Sequence, residues 1–317
     1  MDRGIKTKIA FLYYSCGMTQ EEIASRLSLT RQKVNSVIGS LKADGIVSIG
    51  VRESEGGSVE METEIENVFG IERVIVAPAY NDPKLDFLKT ASVAAEYLEE
   101  NISNGDIVGA SWGKTLKAVV SEMRFGNKKD SCVVQLLGAQ SMDDLGAKSD
   151  DIVRSLAEKL NCGTYLMYAP MVVSKKELKD MLVCERPIKA SLEAMKKCNI
   201  AIFGIGEIRE GAPMHKMGYL SDADVQRLKK EGFVADIALN PVRLDGSCDS
   251  CFLSERLLGA DVECIKNIEK TVGVAAGTEK ADAVIAVLRS GLLKTLIIDH
   301  ALAEKIILKI KNEEKSE

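Results

Sequence analysis

The sequence predicts a chain in two parts: an N-terminal all-α winged helix-turn-helix domain over residues 1–56, then an α/β domain over residues 57–317 built on a mostly parallel sheet. Three observations predict it. Helix caps and helical spacing crowd the first forty or so residues, strand-like apolar runs alternate with helical stretches from Arg73 onward, and charge is divided unevenly between the two parts. Through Arg52 there are eight Lys and Arg against four Asp and Glu, while the whole 317-residue chain has 42 against 47. A basic head therefore precedes an acidic body, an asymmetry that suits a nucleic-acid-binding module joined to a domain of different purpose.

In the head, Ile9, Ala10, Leu12 and Tyr13 fall at helical spacing in a first helix that Gly17 ends. Thr19-Gln20-Glu21-Glu22 has the form of a capping box and opens a second helix, whose Ile23, Ala24 and Leu27 make a buried stripe. After the tight Leu27-Ser28-Leu29 connection, Thr30 caps a third helix with Val34, Val37, Ile38 and Leu41 inward and Arg31, Gln32, Lys33, Asn35 and Ser36 outward. Two short helices joined by a tight turn make a helix-turn-helix. Its second helix can enter a DNA major groove, where basic and amide side chains reach base edges or phosphates. Thr30, Arg31, Gln32, Lys33 and Asn35 are the candidate DNA-binding residues. Asp44-Gly45 before Ile46-Val47-Ser48-Ile49 predicts a turn into a β-wing. The alternative is a three-helix packing module whose polar face only keeps it soluble.

Glu53 to Ser58 is polar and Gly-rich and predicts a linker, followed by a helix with Met61, Ile65, Val68 and Phe69 on one face. Strands are expected at 74–76, 107–110, 133–136, 200–203, 272–275 and 296–298, and helices at 87–100, 151–160, 189–197, 280–289 and 301–311. Such alternation implies a sheet covered on both faces with ligands at the carboxyl ends of its strands. Three strand ends carry small residues before helices: Ser111-Trp112-Gly113-Lys114-Thr115, Leu137-Gly138-Ala139-Gln140-Ser141 and Ala276-Gly277-Thr278-Glu279-Lys280. Backbone N–H groups at such turns suit an anion, and Lys280 would oppose its charge, so a phosphorylated small molecule is the expected ligand.

Other chemistries find less support. Phe203-Gly204-Ile205-Gly206-Glu207 begins like a dinucleotide fingerprint, but Arg209 stands where the third Gly belongs, and no nicotinamide or flavin cofactor is expected. Cys248-Asp249-Ser250-Cys251 is a lone C-x-x-C, and with two histidines in the chain no metal site is expected. The eight cysteines are expected as reduced thiols in a cytoplasmic protein, since no apolar run is long enough for a membrane span and no signal core opens the chain.

The ordered segments Tyr13-Tyr14 through Met18 to Ala24, Trp112 to Leu116, Gln135 to Gly138, Ala169-Pro170, Phe203 to Gly206, Asp245-Gly246 and Gly273 to Ala281 resemble the SorC family of bacterial sugar-sensing transcriptional regulators. The resemblance runs from about Lys8 to about Ile307. It implies a dimeric or tetrameric regulator of operator DNA, with an effector domain like the sugar-phosphate isomerase and deaminase fold. It further implies that Ser111, Gly113, Thr115, Gly138, Ala139, Gly277 and Lys280 line a pocket for a phosphorylated sugar or polyol, with Asp245 on a sugar hydroxyl. The chain departs from the family at Asn35-Ser36, where Ser-Arg is usual, and at Ser111 and Ala276, where Gly is more common. The alternative reading from the same fold is a sugar-phosphate isomerase or deaminase. Such an enzyme needs a placed acid and base, and Asp245 has no obvious partner beyond Glu207 and His215 nearby in sequence.

Overall fold

Thr19 and Thr30 open the second and third helices as their caps predict: their hydroxyls accept from the Glu22 and Lys33 amides, and Glu22 completes the capping box by reaching back to the Thr19 amide. The computed structural model describes residues 2–42, 44–47, 59–140 and 148–314 and divides the chain into two units, Met1–Glu53 and Ser54–Glu317. In the first unit α1 (Arg3–Ala10) runs on through a wider turn at Phe11–Ser15, and α2 (Gln20–Leu27) is joined to α3 (Arg31–Ser40) through Ser28 in the left-handed conformation. Ile9, Leu12, Ile23, Val34, Val37 and Leu41 close a small core of their own. Losing any one of the larger of these to Ala would cost roughly 2–5 kcal/mol. Ile46 and Val47 pack against this core without forming a strand, and the rest of the expected wing, Ser48 and Ile49, lies outside the described residues, as does the linker through Ser58.

The second unit runs α4 (Val59–Phe69), β1 (Arg73–Ala77), α5 (Pro83–Asn101), β2 (Ile107–Ala110), α6 (Lys114–Glu122), β3 (Cys132–Gln135), α7 (Ser149–Leu160), β4 (Gly163–Tyr165), α8 (Lys176–Leu182), α9 (Arg186–Met195) and β5 (Ile200–Glu207). It continues with α10 (Pro213–Lys216), α11 (Asp222–Lys230), β6 (Phe233–Ile237), β7 (Asn240–Arg243), α12 (Val262–Lys266), β8 (Lys270–Ala275), α13 (Ala281–Arg289), β9 (Thr295–Asp299) and α14 (His300–Glu314). Seven strands form a parallel sheet in the order β1-β9-β8-β5-β2-β3-β4. Strand alternation supplies a core to each face. Ile200 and Ile202 bury with α5, α6 and α7 on one side, and Ala201 and Phe203 bury with α9, α13 and α14 on the other.

All six expected strands are present. The ones not foreseen are β4, a short exposed edge, and the β6–β7 hairpin, which pairs antiparallel with the overhanging end of β5 at Ile205–Glu207. Its turn, Ala238-Leu239, takes positive φ at both residues without the Asn or Gly that normally marks such a turn, so composition hides it. Asn240 holds it closed, donating its side-chain amide to the Ile237, Ala238 and Ala260 carbonyls. All eight cysteines are unpaired, and no helix among the described residues is long and apolar enough to cross a membrane.

Candidate functional site

Parallel strands deliver their chain ends to one edge of a sheet, and there a cavity of about 400 Å³ opens at the carboxyl ends of β2, β5 and β8. The overhang of β5 carries the backbone across its floor, with Gly204, Ile205, Gly206 and Glu207 lining it, and β6 adds Asp236. Phe87 and Trp112 are apolar walls, and the segment from Arg209 to Lys216 forms a further side.

At the β2 end, Ser111 is buried beneath the cavity: its amide donates to the Ile202 carbonyl at 3.2 Å and its hydroxyl accepts from the Trp112 amide at 2.6 Å. Gly113 is the N-cap of α6 with φ +113°, a conformation that favours glycine, and nothing lies within 4 Å of the place a Cβ would take. The N-terminal amides of α6 have no partner within the helix, and Gly113, Lys114 and Thr115 all line the cavity. This turn can receive an anion.

The β8 end differs. The Gly277 amide is already spent on Asp299 Oδ2 at 2.6 Å, and Gly277 is outside the lining. Lys280, at the end of the short turn Thr278–Lys280, does reach the cavity, where its Nζ donates to the Ile205 carbonyl at 2.9 Å. Burial lowers its proton affinity, and the carboxylates of Glu207, Glu279 and Asp236 act in the opposite direction. Beside it, burial pushes the Asp236 carboxyl up to about 6, against the Leu239 amide, which donates to Oδ2 at 3.1 Å. A Cβ on Gly206 would collide with Asp236 Oδ1. Glu207 is held by Arg209 in a two-point fork, Nε to Oε1 at 3.0 Å and Nη2 to Oε2 at 3.3 Å.

Of the expected effector residues, Gly113, Thr115 and Lys280 line the cavity, Ser111 and Gly277 sit at its strand ends outside the lining, and Gly138, Ala139 and Asp245 stand elsewhere. Gly138 and Ala139 are locked into backbone pairing, with their amides donating to the Leu258 and Ala169 carbonyls at 2.8 and 2.7 Å, so they offer nothing to an anion. Asp245 sits exposed in the turn after β7, accepting from the Ser247 amide at 2.9 Å. Its neighbour Gly246 abuts Arg289 at the last residue of α13, the opposite end of that helix from Lys280. Of the three carboxylates that line the cavity, Glu207, Glu279 and Asp236, the buried one is Asp236, which the sequence reading missed. The signal was a single Asp inside the otherwise apolar run Phe233-Val234-Ala235-Asp236-Ile237.

On the first unit Arg31, Gln32, Lys33 and Asn35 are all exposed along the start of α3, while the Thr30 hydroxyl is occupied as the cap. Arg31 Nη1 donates to Glu21 Oε1 at 2.9 Å, and Asn35 Oδ1 accepts from Gln20 Nε2 at 3.3 Å.

Residues 54–308 match the family described as "Putative sugar-binding domain". The deoxyribonucleoside regulator of Bacillus subtilis (strain 168) is 27% identical over 307 residues, covering 96% of this chain and 97% of its own. The erythritol catabolism regulatory protein EryD of Brucella abortus (strain 2308) is 27% identical over 308 residues, with the same 96% and 97% coverage. Among solved structures, the full-length sorbitol operon regulator SorC from Klebsiella pneumoniae shares the fold, with a TM-score of 0.75 at 21% identity over 97% of this chain and 99% of that one. With a cavity at the strand ends, a helix-turn-helix ahead of it and a family match across most of its length, the chain belongs to the sugar-binding domain family of SorC-type transcriptional regulators.

Proposed function

We propose that the cavity takes a phosphorylated sugar or polyol, and that its occupancy changes how the N-terminal unit, residues 1–56, holds operator DNA. The observation that carries this reading is the open first turn of α6 sharing one cavity with Lys280 and Asp236. The phosphate lies against the amides at Gly113 to Thr115 with Lys114 beside it, and the hydroxyls meet Asp236 and Lys280. The apolar walls, Phe87 and Trp112, suit the C–H face of a small carbon chain. Relatives named for a deoxyribonucleoside and for erythritol support a small sugar or polyol skeleton. In this reading Arg31, Gln32, Lys33 and Asn35 contact the DNA, the protein works in the cytoplasm as a homodimer or homotetramer, and Asp236 binds rather than catalyses.

A thermal-shift screen against phosphorylated sugars and polyols tests the effector assignment, because a ligand of the folded state raises the melting temperature by mass action. The same compounds recovered chemically unchanged after prolonged incubation support binding without turnover. Arg31 and Lys33 changed together to Ala should weaken DNA binding and flatten its salt dependence. Equal binding by wild type and double variant at every salt concentration would refute the DNA-contact assignment.

A further inference from the structure

We propose that Glu21 and Gln20, in the first turn of α2, are positioning residues that aim Arg31 and Asn35 at base edges, Arg31 at a guanine, leaving phosphate contact to Lys33. The proposal rests on the helix-turn-helix reading above. Arg31 and Asn35 are four residues apart and so share one face of α3, and each is tied to a neighbour at the start of α2: Arg31 to Glu21 at 2.9 Å and Asn35 to Gln20 at 3.3 Å. Gln32 and Lys33 have no side-chain partner among the described residues. Two of the four exposed polar side chains are thus restrained and two are free.

Electrostatics separates their roles. Glu21 places a carboxylate against Arg31, and a DNA phosphate approaching the same guanidinium would meet that negative charge. A base edge carries no net charge. With Nη1 engaged by Glu21, the remaining guanidinium N–H donors are free for the O6 and N7 acceptors of guanine. Holding the long side chain before contact also reduces the rotamer entropy lost on binding, which favours specific over loose association. Lys33, unrestrained and without a carboxylate partner, is the side chain suited to a phosphate.

The experiment captures a pool of random DNA duplexes on the full-length chain and sequences it before and after selection, for wild type, Glu21→Gln, Arg31→Ala and Lys33→Ala. Wild type should enrich a motif containing a guanine column that Arg31→Ala erases. Glu21→Gln should weaken that same column about tenfold and steepen the salt dependence of binding to unselected DNA by about one counterion, since Arg31 becomes free for phosphates. Lys33→Ala should weaken all sequences alike. A merely structural role for Glu21 would lower the melting temperature and weaken every column together. The proposal is overturned if Glu21→Gln leaves motif and salt slope unchanged, or if it and Arg31→Ala affect different columns. Failure of wild type to enrich any motif overturns the helix-turn-helix reading itself, a separate and visible result.

Discussion

The ends of β2 and β3 read alike in sequence, each a buried apolar strand running into small residues, yet one opens the cavity and the other is sealed. After β2, Gly113 turns the chain into α6 at φ +113°, and the first helical amides have no partner among the described residues. After β3, Gly138 and Ala139 pair with the Leu258 and Ala169 carbonyls, and the Met171 amide donates back to Ala139. A small residue therefore marks two different needs: room for a ligand in one place, and room for another stretch of backbone in the other.

Substituting the two glycines is the most direct way to break this comparison. A Cβ at Gly138 would sit 2.6 Å from the Ala169 carbonyl oxygen, the Pro170 carbonyl carbon and the Met171 amide nitrogen, so Gly138→Ala should cost about 3 kcal/mol or more of stability. Urea unfolding measures it. Gly113→Ala meets open space and should cost only the strain of its backbone, about 1–3 kcal/mol, while abolishing the thermal shift given by the screened phosphorylated ligand. If Gly138→Ala instead remains stable and loses ligand binding, the sealed end is part of the site.

Lys280 sharpens the contrast from the third strand end, where the glycine amide is spent but a cation reaches the cavity. Lys280→Ala should weaken binding of that ligand ten- to a hundredfold by calorimetric titration, the range for losing a hydrogen bond to a charged group, about 1.5–3 kcal/mol. DNA binding without ligand should persist.

Asp236 adds a pH dependence that the sealed end cannot supply. Its carboxyl is raised by burial from the ordinary 3.8 to about 6, so the folded chain binds this proton more tightly than the unfolded chain. Its contribution to stability therefore falls as pH rises from about 4 to about 6 and is level above, and the difference between wild type and Asp236→Asn in urea unfolding should trace that window. A sugar hydroxyl donating to the ionised carboxylate strengthens binding in the opposite sense. Affinity should rise about tenfold more between about pH 5 and about pH 7 in wild type than in Asp236→Asn, where only the ligand phosphate's own second ionisation, at about pH 6, remains. The smallest expected effect is at Asp245, exposed and far along α13 from the cavity: Asp245→Ala should leave ligand affinity unchanged in the same titration.

Local signals were enough for much of this protein. Thr19 and Thr30 cap because a β-configured hydroxyl residue ahead of a helical stripe has few other uses, and six strands were legible because parallel strands buried on both faces read as continuous apolar runs. The β6–β7 hairpin was not legible, since Ala238 and Leu239 carry no turn signature and are held by Asp236 and Asn240 from outside the turn. Asp236 went unseen for the same reason.

What the sequence by itself determined was therefore the two-part plan, the helix caps, the sheet class and the strand ends at which the cavity opens, all of which follow from spacing and short-range hydrogen bonding. Tertiary structure alone decided which amides at those strand ends remain free. An amide at a turn is available only if no distant carbonyl or carboxylate reaches it. Leu258, Ala169 and Asp299 reach Gly138, Ala139 and Gly277, while among the described residues no such partner reaches the open Gly113 turn. The carboxylate choice was likewise long-range: β6 pairs with the end of β5 and brings Asp236 against Gly206, whereas Asp245 leaves with the outgoing strand. Pairing between residues from about twenty to over a hundred positions apart has no signature in the local pattern at either partner, because each backbone group looks the same until the fold has assigned it a neighbour.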